Sequence, residues 1–212
     1  MKQILILLFL TLGIFESLSG QVNVGISTGL NISKCKITDI GLVFTTRKGY
    51  FVGIAPSYLL NEKIHLIFDL QYSQKGYAIN PFLEYRFSYF EIIPEIEYRP
   101  VNFLVLGLGI SYGYRVNEEE RGIGDWESTR DIKLIKSFDY GVTGKIKLID
   151  RKFFGFVRYN IGLNEISNPV FFGRFGNLDE INMYNRNLQF GVGYVFGLER
   201  YNDNKTKQIL LY

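Results

Sequence analysis

A two-residue alternation constrains this chain more than any other feature. Around Asp69, the residues Ile64, Leu66, Phe68, Leu70 and Tyr72 take one set of positions, while His65, Ile67, Asp69, Gln71 and Ser73 take the other. Successive side chains of a β-strand leave on opposite sides, so the segment has one apolar and one mostly polar face. The pattern recurs to predict eight strands: Val22–Ile32, Tyr50–Leu60, Ile64–Ser73, Ser88–Tyr98, Phe103–Arg115, Phe138–Leu148, Phe153–Leu163 and Leu188–Phe196. The fifth is the clearest: Leu104, Leu106, Leu108, Ile110, Tyr112 and Tyr114 share a face, and Gly107, Gly109, Ser111, Gly113 and Arg115 share the other. Either the apolar face turns inward to a core, as in a soluble barrel or sandwich, or it turns outward to lipid.

The connections bear on that choice. Asn61-Glu62, Pro100-Val101 and Asp150-Arg151 read as tight turns, and long polar loops are expected near Ser33–Gly49, Gln74–Phe87, Val116–Ser137 and Asn164–Asn187. Every second connection is short, as in an up-and-down barrel with one plain and one elaborate end. The segments run about ten residues, longer than the ~5–6 common in soluble strands. On the apolar face, Tyr50, Tyr72, Phe90, Tyr112, Tyr114, Phe138 and Tyr140 gather toward the long loops, and Tyr58, Tyr98, Phe153, Tyr194 and Phe196 toward the short turns. Amphipathic rings favour membrane–water interfaces, so two aromatic belts are expected.

The polar face is rich in Gly and Ser, which a solvent-facing wall has no need of and a narrow lumen does. Its charges balance: Asp69, Glu91, Glu95, Glu97 and Asp139 against Lys75, Arg115, Lys145, Lys147 and Arg158. Charges enclosed together must pair, because an unpartnered one is costly away from water. The apolar face is therefore read as outward. Pro56 and Pro94 lie inside strands, cannot donate to the ladder, and should each mark a bulge or local break. Phe51, Phe154 and Phe156 point inward and are expected to fill the lumen near its ends.

At 212 residues the chain suffices for one all-β domain, and 18 Phe, 15 Tyr and 22 Gly against few Pro and Met favour strands and turns. The formal charge of +3 carries no Lys/Arg-rich block, so nucleic acid is not an expected partner. Lys2 followed by the apolar run Ile4–Phe15 and by Ser17-Leu18-Ser19 reads as a signal peptide cleaved after Ser19 or Gly20, the run being shorter than the ~20 residues of a spanning helix. This predicts a signal peptide over 1–20, an outer-membrane barrel domain over 21–198 and a short periplasmic tail over 199–212. Cys35 is the one cysteine, which excludes an intramolecular disulfide.

The stretches GISTGLN (Gly25–Asn31), GYFVGIAPSYLLNEKIHLIFDLQYSQKG (Gly49–Gly76), YFEIIPEIEY (Tyr89–Tyr98), DYGVTG (Asp139–Gly144), VRYNIGL (Val157–Leu163) and NLQFGVGYVFG (Asn187–Gly197) resemble the PorT-like outer-membrane β-barrel proteins of Bacteroidetes-type bacteria. The resemblance covers nearly the whole mature chain and is one of pattern. A Glu-Ile-Ile-Pro stretch is typical of that family, as at Glu91–Pro94, and its architecture is similar to small OmpA- or OmpX-like barrels. The family's namesake is tied to protein secretion across the outer membrane by the type IX route, so the resemblance implies an outer-membrane location and a link to secretion.

Candidate chemistry is sparse. His65, the only histidine, shares a strand face with Asp69, about 13 Å away along an extended strand and too far for a direct acid–base pair. Glu97 or Lys147 are the groups expected near it. A lipid-modifying barrel enzyme would need a nucleophile beside the histidine, which no motif here places. Glu91, Glu95 and Glu97 come from one strand and supply too few converging oxygens for a hard cation, so pairing with Lys145, Lys147, Arg115 and Arg158 is the expectation. Cys35 is expected as a loop thiol, and Trp126 in the charged loop Asn117–Lys136. That loop is either a solvated surface or a recognition surface carried by a rigid barrel.

The resulting expectation is an all-β, eight-stranded antiparallel up-and-down transmembrane β-barrel in the outer membrane of a Gram-negative bacterium, with both termini periplasmic. Its lumen would hold a structural charge network of Asp69, Glu91, Glu95, Glu97, Arg115, Asp139, Lys145, Lys147 and Arg158, with no catalytic, cofactor or metal site. The expected partners are outer-membrane lipid, and proteins met through the long loops or the periplasmic end of a monomeric barrel. The expected role is non-enzymatic, as scaffold, surface binder or secretion partner. The alternatives are a lipid-modifying enzyme and a narrow pore.

Overall fold

The computed structural model describes residues 22–37, 44–79, 83–129, 135–167 and 182–196. The signal segment 1–20 and the tail 199–212 expected from the sequence lie outside them. Nine strands follow in order: β1 (Val22–Ile37), β2 (Phe44–Asn61), β3 (Ile64–Ile79), β4 (Leu83–Val101), β5 (Leu104–Arg121), β6 (Trp126–Ser128), β7 (Phe138–Asp150), β8 (Phe153–Gly162) and β9 (Met183–Phe196). All pair antiparallel, and chain neighbours pair with each other except β6 and β7. β1 pairs with β9, while β7 pairs with β5 across the short β6, so eight strands form a closed barrel and β6 is an appendage on β5. Closure satisfies every wall strand on both edges, which hydrocarbon demands.

The faces fall as the alternation requires. Leu30, Phe90, Ile96, Leu108, Phe153 and Val192 are among the most exposed large apolar side chains, while Asp69, Glu91, Glu95, Glu97 and Arg158 are each at most 3% exposed. The protein is inverted relative to a soluble one, and only lipid makes that distribution favourable. Two girdles bound the apolar wall. Tyr50, Tyr72 and Phe90 run ring to ring at 6.0 and 5.8 Å on one rim, joined by Tyr112, Tyr114 and Phe138. On the other rim Phe153, Tyr194 and Phe196 meet edge to face at 5.1 and 4.8 Å.

The tight turns sit one or two residues later than the sequence suggests, at Glu62-Lys63, Asn102-Phe103 and Arg151-Lys152. The first is built by Asn61, whose Oδ1 accepts the amides of Lys63 and Ile64, both at 2.9 Å. Glycine on the luminal face makes room for large neighbours. A Cβ at Gly191 would strike the rings of Phe156 and Phe51.

Two expectations are corrected and a third is narrowed. The segments read as loops at Ser33–Gly49, Gln74–Phe87 and Val116–Ser137 are in large part strand: β3 continues to Ile79, β4 begins at Leu83, and β5 runs to Arg121. Strands therefore reach 19 residues in β4. Above the girdle the outward face meets water, so the apolar marker that located the strands disappears while the hydrogen-bonded ladder goes on. Cys35 accordingly lies within β1 and is buried, not in a loop. Second, each proline marks a local break in one ladder, as expected, and neither makes a bulge. Pro56 keeps its place opposite Val24, and pairing with β3 resumes in the same register after a gap at Ala55-Pro56; Pro94 interrupts only the β4–β5 ladder. The register shifts lie between Thr46 and Phe51 in β2, at Val116 opposite Ser88/Tyr89, and beside two tight turns, at Leu59/Asn61 and Tyr98/Val101. Third, Phe51 and Phe156 do not sit at the lumen ends. They pack together at 5.7 Å, with Phe156 beside Arg158, and Phe154 follows toward the short turns.

Candidate functional site

The lumen holds the chemistry of this chain. Each wall strand sends every second side chain inward, so residues far apart in sequence converge on one axis. Nearest the short turns, three acids meet three bases. Arg158 of β8 places Nε 3.0 Å from Glu95 of β4 and Nη2 on Asp69 of β3. Lys145 of β7 bridges Glu95 and, at 2.7 Å, Glu97, while Lys147 holds the other oxygen of Glu97. Thr143 donates to Glu95 at 3.2 Å and Arg158 to Gln189 at 3.0 Å. The aromatic faces share the load: Arg158 and Lys145 lie over the Phe156 ring and Lys147 over Phe154, at 5.3 to 5.9 Å.

A second cluster lies toward the long hairpins. Lys75 bridges Glu91 at 2.6 Å and Asp139 at 2.9 Å, and Asn185 also donates to Asp139 at 2.9 Å. Gln71 joins the clusters, donating to Glu91 at 2.8 Å and accepting from Arg158 at 3.4 Å. One hydrogen-bonded chain thus runs from Lys147 to Asn185. Above it sits an apolar cap of Cys35, Tyr77, Tyr85, Phe87, Tyr89, Ile135, Ile166 and Met183. Ile135 and Ile166 belong to it, held by the Ile135–Ser167 bridge and by the Ile166 amide on the Met183 carbonyl.

Of the residues singled out from the sequence, Asp69, Glu91, Glu95, Glu97, Asp139, Lys145, Lys147 and Arg158 come together here. Arg115 does not join them: it pairs with Glu118, which the bulge at Val116 returns to the luminal side. Its place beside Glu91 is taken by Lys75, a residue the sequence puts on the polar face but in a segment read as loop. His65 stands opposite Glu97 in the β3–β4 register. Asp69 Oδ1 makes no hydrogen bond, and its residue borders a cavity of about 40 Å³ lined also by Ser27, Ser57, Lys145 and Lys147, room enough for an ordered water. Among the described residues, no group of three or more His, Cys, Asp or Glu side chains is placed to hold a metal ion.

Outside the membrane, the β4–β5–β6 wall carries its own ion pairs. Arg86 meets Glu119 at 2.6 Å, Arg121 meets Glu84 at 2.6 Å, and Arg47 meets Glu84 at 2.9 Å. Hydrogen bonding to Glu119 raises the pKa of Arg86 further above its ordinary value, and burial lowers that of Arg47. Trp126 lies against all three guanidiniums, 4.1 Å from Arg86, 4.8 Å from Arg121 and 5.5 Å from Arg47. The tryptophan is therefore a strand residue clamped by cations, not part of an open loop. The tip of its hairpin carries Ile123, 97% exposed.

The family model described as outer membrane protein beta-barrel domain matches residues 15–168. No curated protein is a significant sequence match. Among solved structures, neisserial surface protein A (NspA) superposes with a TM-score of 0.50 at 14% identity, covering 82% of this chain and 97% of that one. Ail, the attachment invasion locus protein of Yersinia pestis, gives 0.47 at 16% identity, covering 83% and 99%. OprG of Pseudomonas aeruginosa gives 0.44 at 14% identity, covering 84% and 98%.

Proposed function

We propose a role for this chain from one premise: it belongs to the outer membrane protein β-barrel domain family and is a barrel of the Gram-negative outer membrane. The proposal is a non-enzymatic, non-conducting protein that uses the membrane as an anchor and presents rigid β-hairpins to a partner. The observation that carries it is the filled lumen. A path through the barrel would have to cross both the six-charge cluster around Arg158 and the apolar cap around Met183, whose side chains, each at most 8% exposed, fill the bore at both levels. The structured surface lies instead on the extended strands above the girdle, where Trp126 and its arginines brace a hairpin ending in exposed Ile123. Loops and tips on a rigid scaffold are where recognition is ordinarily carried. A secretion apparatus is the partner class implied by the PorT-like resemblance.

The test is twofold. The purified protein in planar bilayers should give no stable single-channel current, and a steady open conductance would reject the plugged-anchor reading. Co-purification from native outer membrane should recover a fixed partner from the wild type, and lose it when Gly122–Asp125 is replaced by a two-residue turn that leaves the barrel folded. Recovery undiminished by that change would reject the hairpin as the binding element.

A further inference from the structure

The outward face of β9, β1 and β2 above the girdle carries positive charge that no described acidic side chain neutralises. Lys34 on β1 stands directly opposite Arg186 on β9. Lys36 follows on the same face of β1, and Lys48 of β2 stands opposite Ile32. The three lysines are exposed and Arg186 half-buried. Arg186 is held by bonds from Nη1 to the carbonyls of Gly162, at 2.7 Å, and Asn185, at 3.0 Å. Those carbonyls fix the guanidinium without cancelling its charge. Like charges facing each other across a strand pair destabilise it, so the Lys34–Arg186 juxtaposition has a cost that an external anion would remove. The opposite wall differs: there Arg86 and Arg121 each have a glutamate. Among the described residues no acidic side chain pairs with Lys34, Lys36, Lys48 or Arg186.

Height decides what the anion is. Lys34 lies four residues beyond Leu30, which faces lipid opposite Tyr50 of the girdle. That is about 13 Å of strand, or about 10 Å of height for a strand tilted near 45°. By the same measure Lys48, opposite Ile32, stands about 5 Å up, within the headgroup layer of ~5–7 Å on each side, and the long side chain of Lys34 reaches down to that layer from just above it. Directly below them Ile32, Leu30 and Phe190 form continuous apolar wall.

We infer that Lys34, Lys36, Lys48 and Arg186 form a binding site for the phosphates of an outer-leaflet glycolipid, whose acyl chains lie along Leu30, Ile32 and Phe190. The inference rests on the outward orientation of the long hairpins in the reading above. Phosphate suits the site because the Arg186 guanidinium offers a fixed planar donor set and the lysines mobile point charges.

The test uses the full chain in phosphatidylcholine nanodiscs doped with bisphosphorylated lipid A, with retained lipid counted by native mass spectrometry. Wild type should retain lipid A and release a dephosphorylated lipid A of the same acyl chains. K34Q/K36Q/R186Q should lower retention about a hundredfold, at ~1 kcal/mol for each cation near an anionic surface. R86Q/E119Q, on the opposite wall, should change nothing. Heat-modifiable migration on gels verifies that each variant is folded. Equal retention by the triple variant, equal binding of dephosphorylated lipid A, or preference for soluble heparin over lipid A would each overturn the inference. Lys48→Cys labelled on intact cells with a membrane-impermeant maleimide separates the two readings. An unlabelled thiol rejects the orientation itself, whereas a labelled thiol with undiminished lipid retention by the triple variant rejects only the lipid site.

Discussion

Arg158 concentrates the energetics of the lumen. It is 1% exposed and contacts Asp69, Glu95, Gln71 and Gln189, so one guanidinium ties β8 to three other strands. Its ion pairs repay desolvation rather than adding a large surplus, but removing one partner strands two buried carboxylates. Arg158→Met should therefore destabilise the folded barrel by about 3–5 kcal/mol, read as a shift in urea unfolding in lipid vesicles. Adding Asp69→Asn and Glu95→Gln to that variant should recover much of the loss. A single variant as stable as wild type would mean that the pairs are solvated and the lumen is wet. The partners of Arg158 were legible from the alternation, because inward charges of opposite sign have nowhere else to go. Lys75 in place of Arg115 was not, since the choice depends on the bulge at Val116, and a one-residue bulge has no signature in composition.

At the scale of elements, the sequence revealed the lipid-facing half of each strand and concealed the half above it. Inside the membrane the outward face must be apolar, so Leu104 to Tyr114 declare themselves. Beyond the girdle the burden inverts: Tyr77, Tyr85, Phe87 and Met183 point inward while Lys34, Arg86 and Glu119 point out, and a search for outward apolar residues ends too soon. The cap over the mouth has a proton-dependent latch. Ser167 and then Lys136 bond to Glu165 and hold its carboxyl below the ordinary carboxylate range. A depressed folded-state pKa contributes stability that is present above the unfolded value and is lost as pH falls through the folded one. The segment Asn164–Ser167 should thus stay closed at neutral pH and loosen only below about pH 4, where an unperturbed glutamate takes up its proton. Hydrogen exchange at the Ile166 amide, bonded to Met183, reports it. Protection that is flat through that range, or lost near neutrality, would remove Glu165 from the latch.

For the whole molecule, the single tryptophan is a built-in depth gauge. Trp126 lies on the β5–β6 hairpin well above the girdle, so lipids brominated along their acyl chains should leave its fluorescence unquenched, while aqueous iodide should quench it in part because the arginines cover one face. Strong quenching by bromolipid would put that hairpin in the bilayer and refute the assigned depth. The eight-strand closed topology followed from counting alternating segments, whereas its length above the membrane required the ladder itself. The seam between β1 and β9 runs without a register shift from Val24–Phe196 to Ile37–Met183, joining partners such as Asn31 and Asn187 that are 156 positions apart. Every other wall contact is made between consecutive wall strands and can form as a hairpin, but this one cannot exist until the entire wall has been laid down. Loop-closure entropy makes such distant pairings the slow ones. Zipping of β9 onto β1 should accordingly be the commitment step of assembly, and the seam the place where a half-built barrel stays open longest.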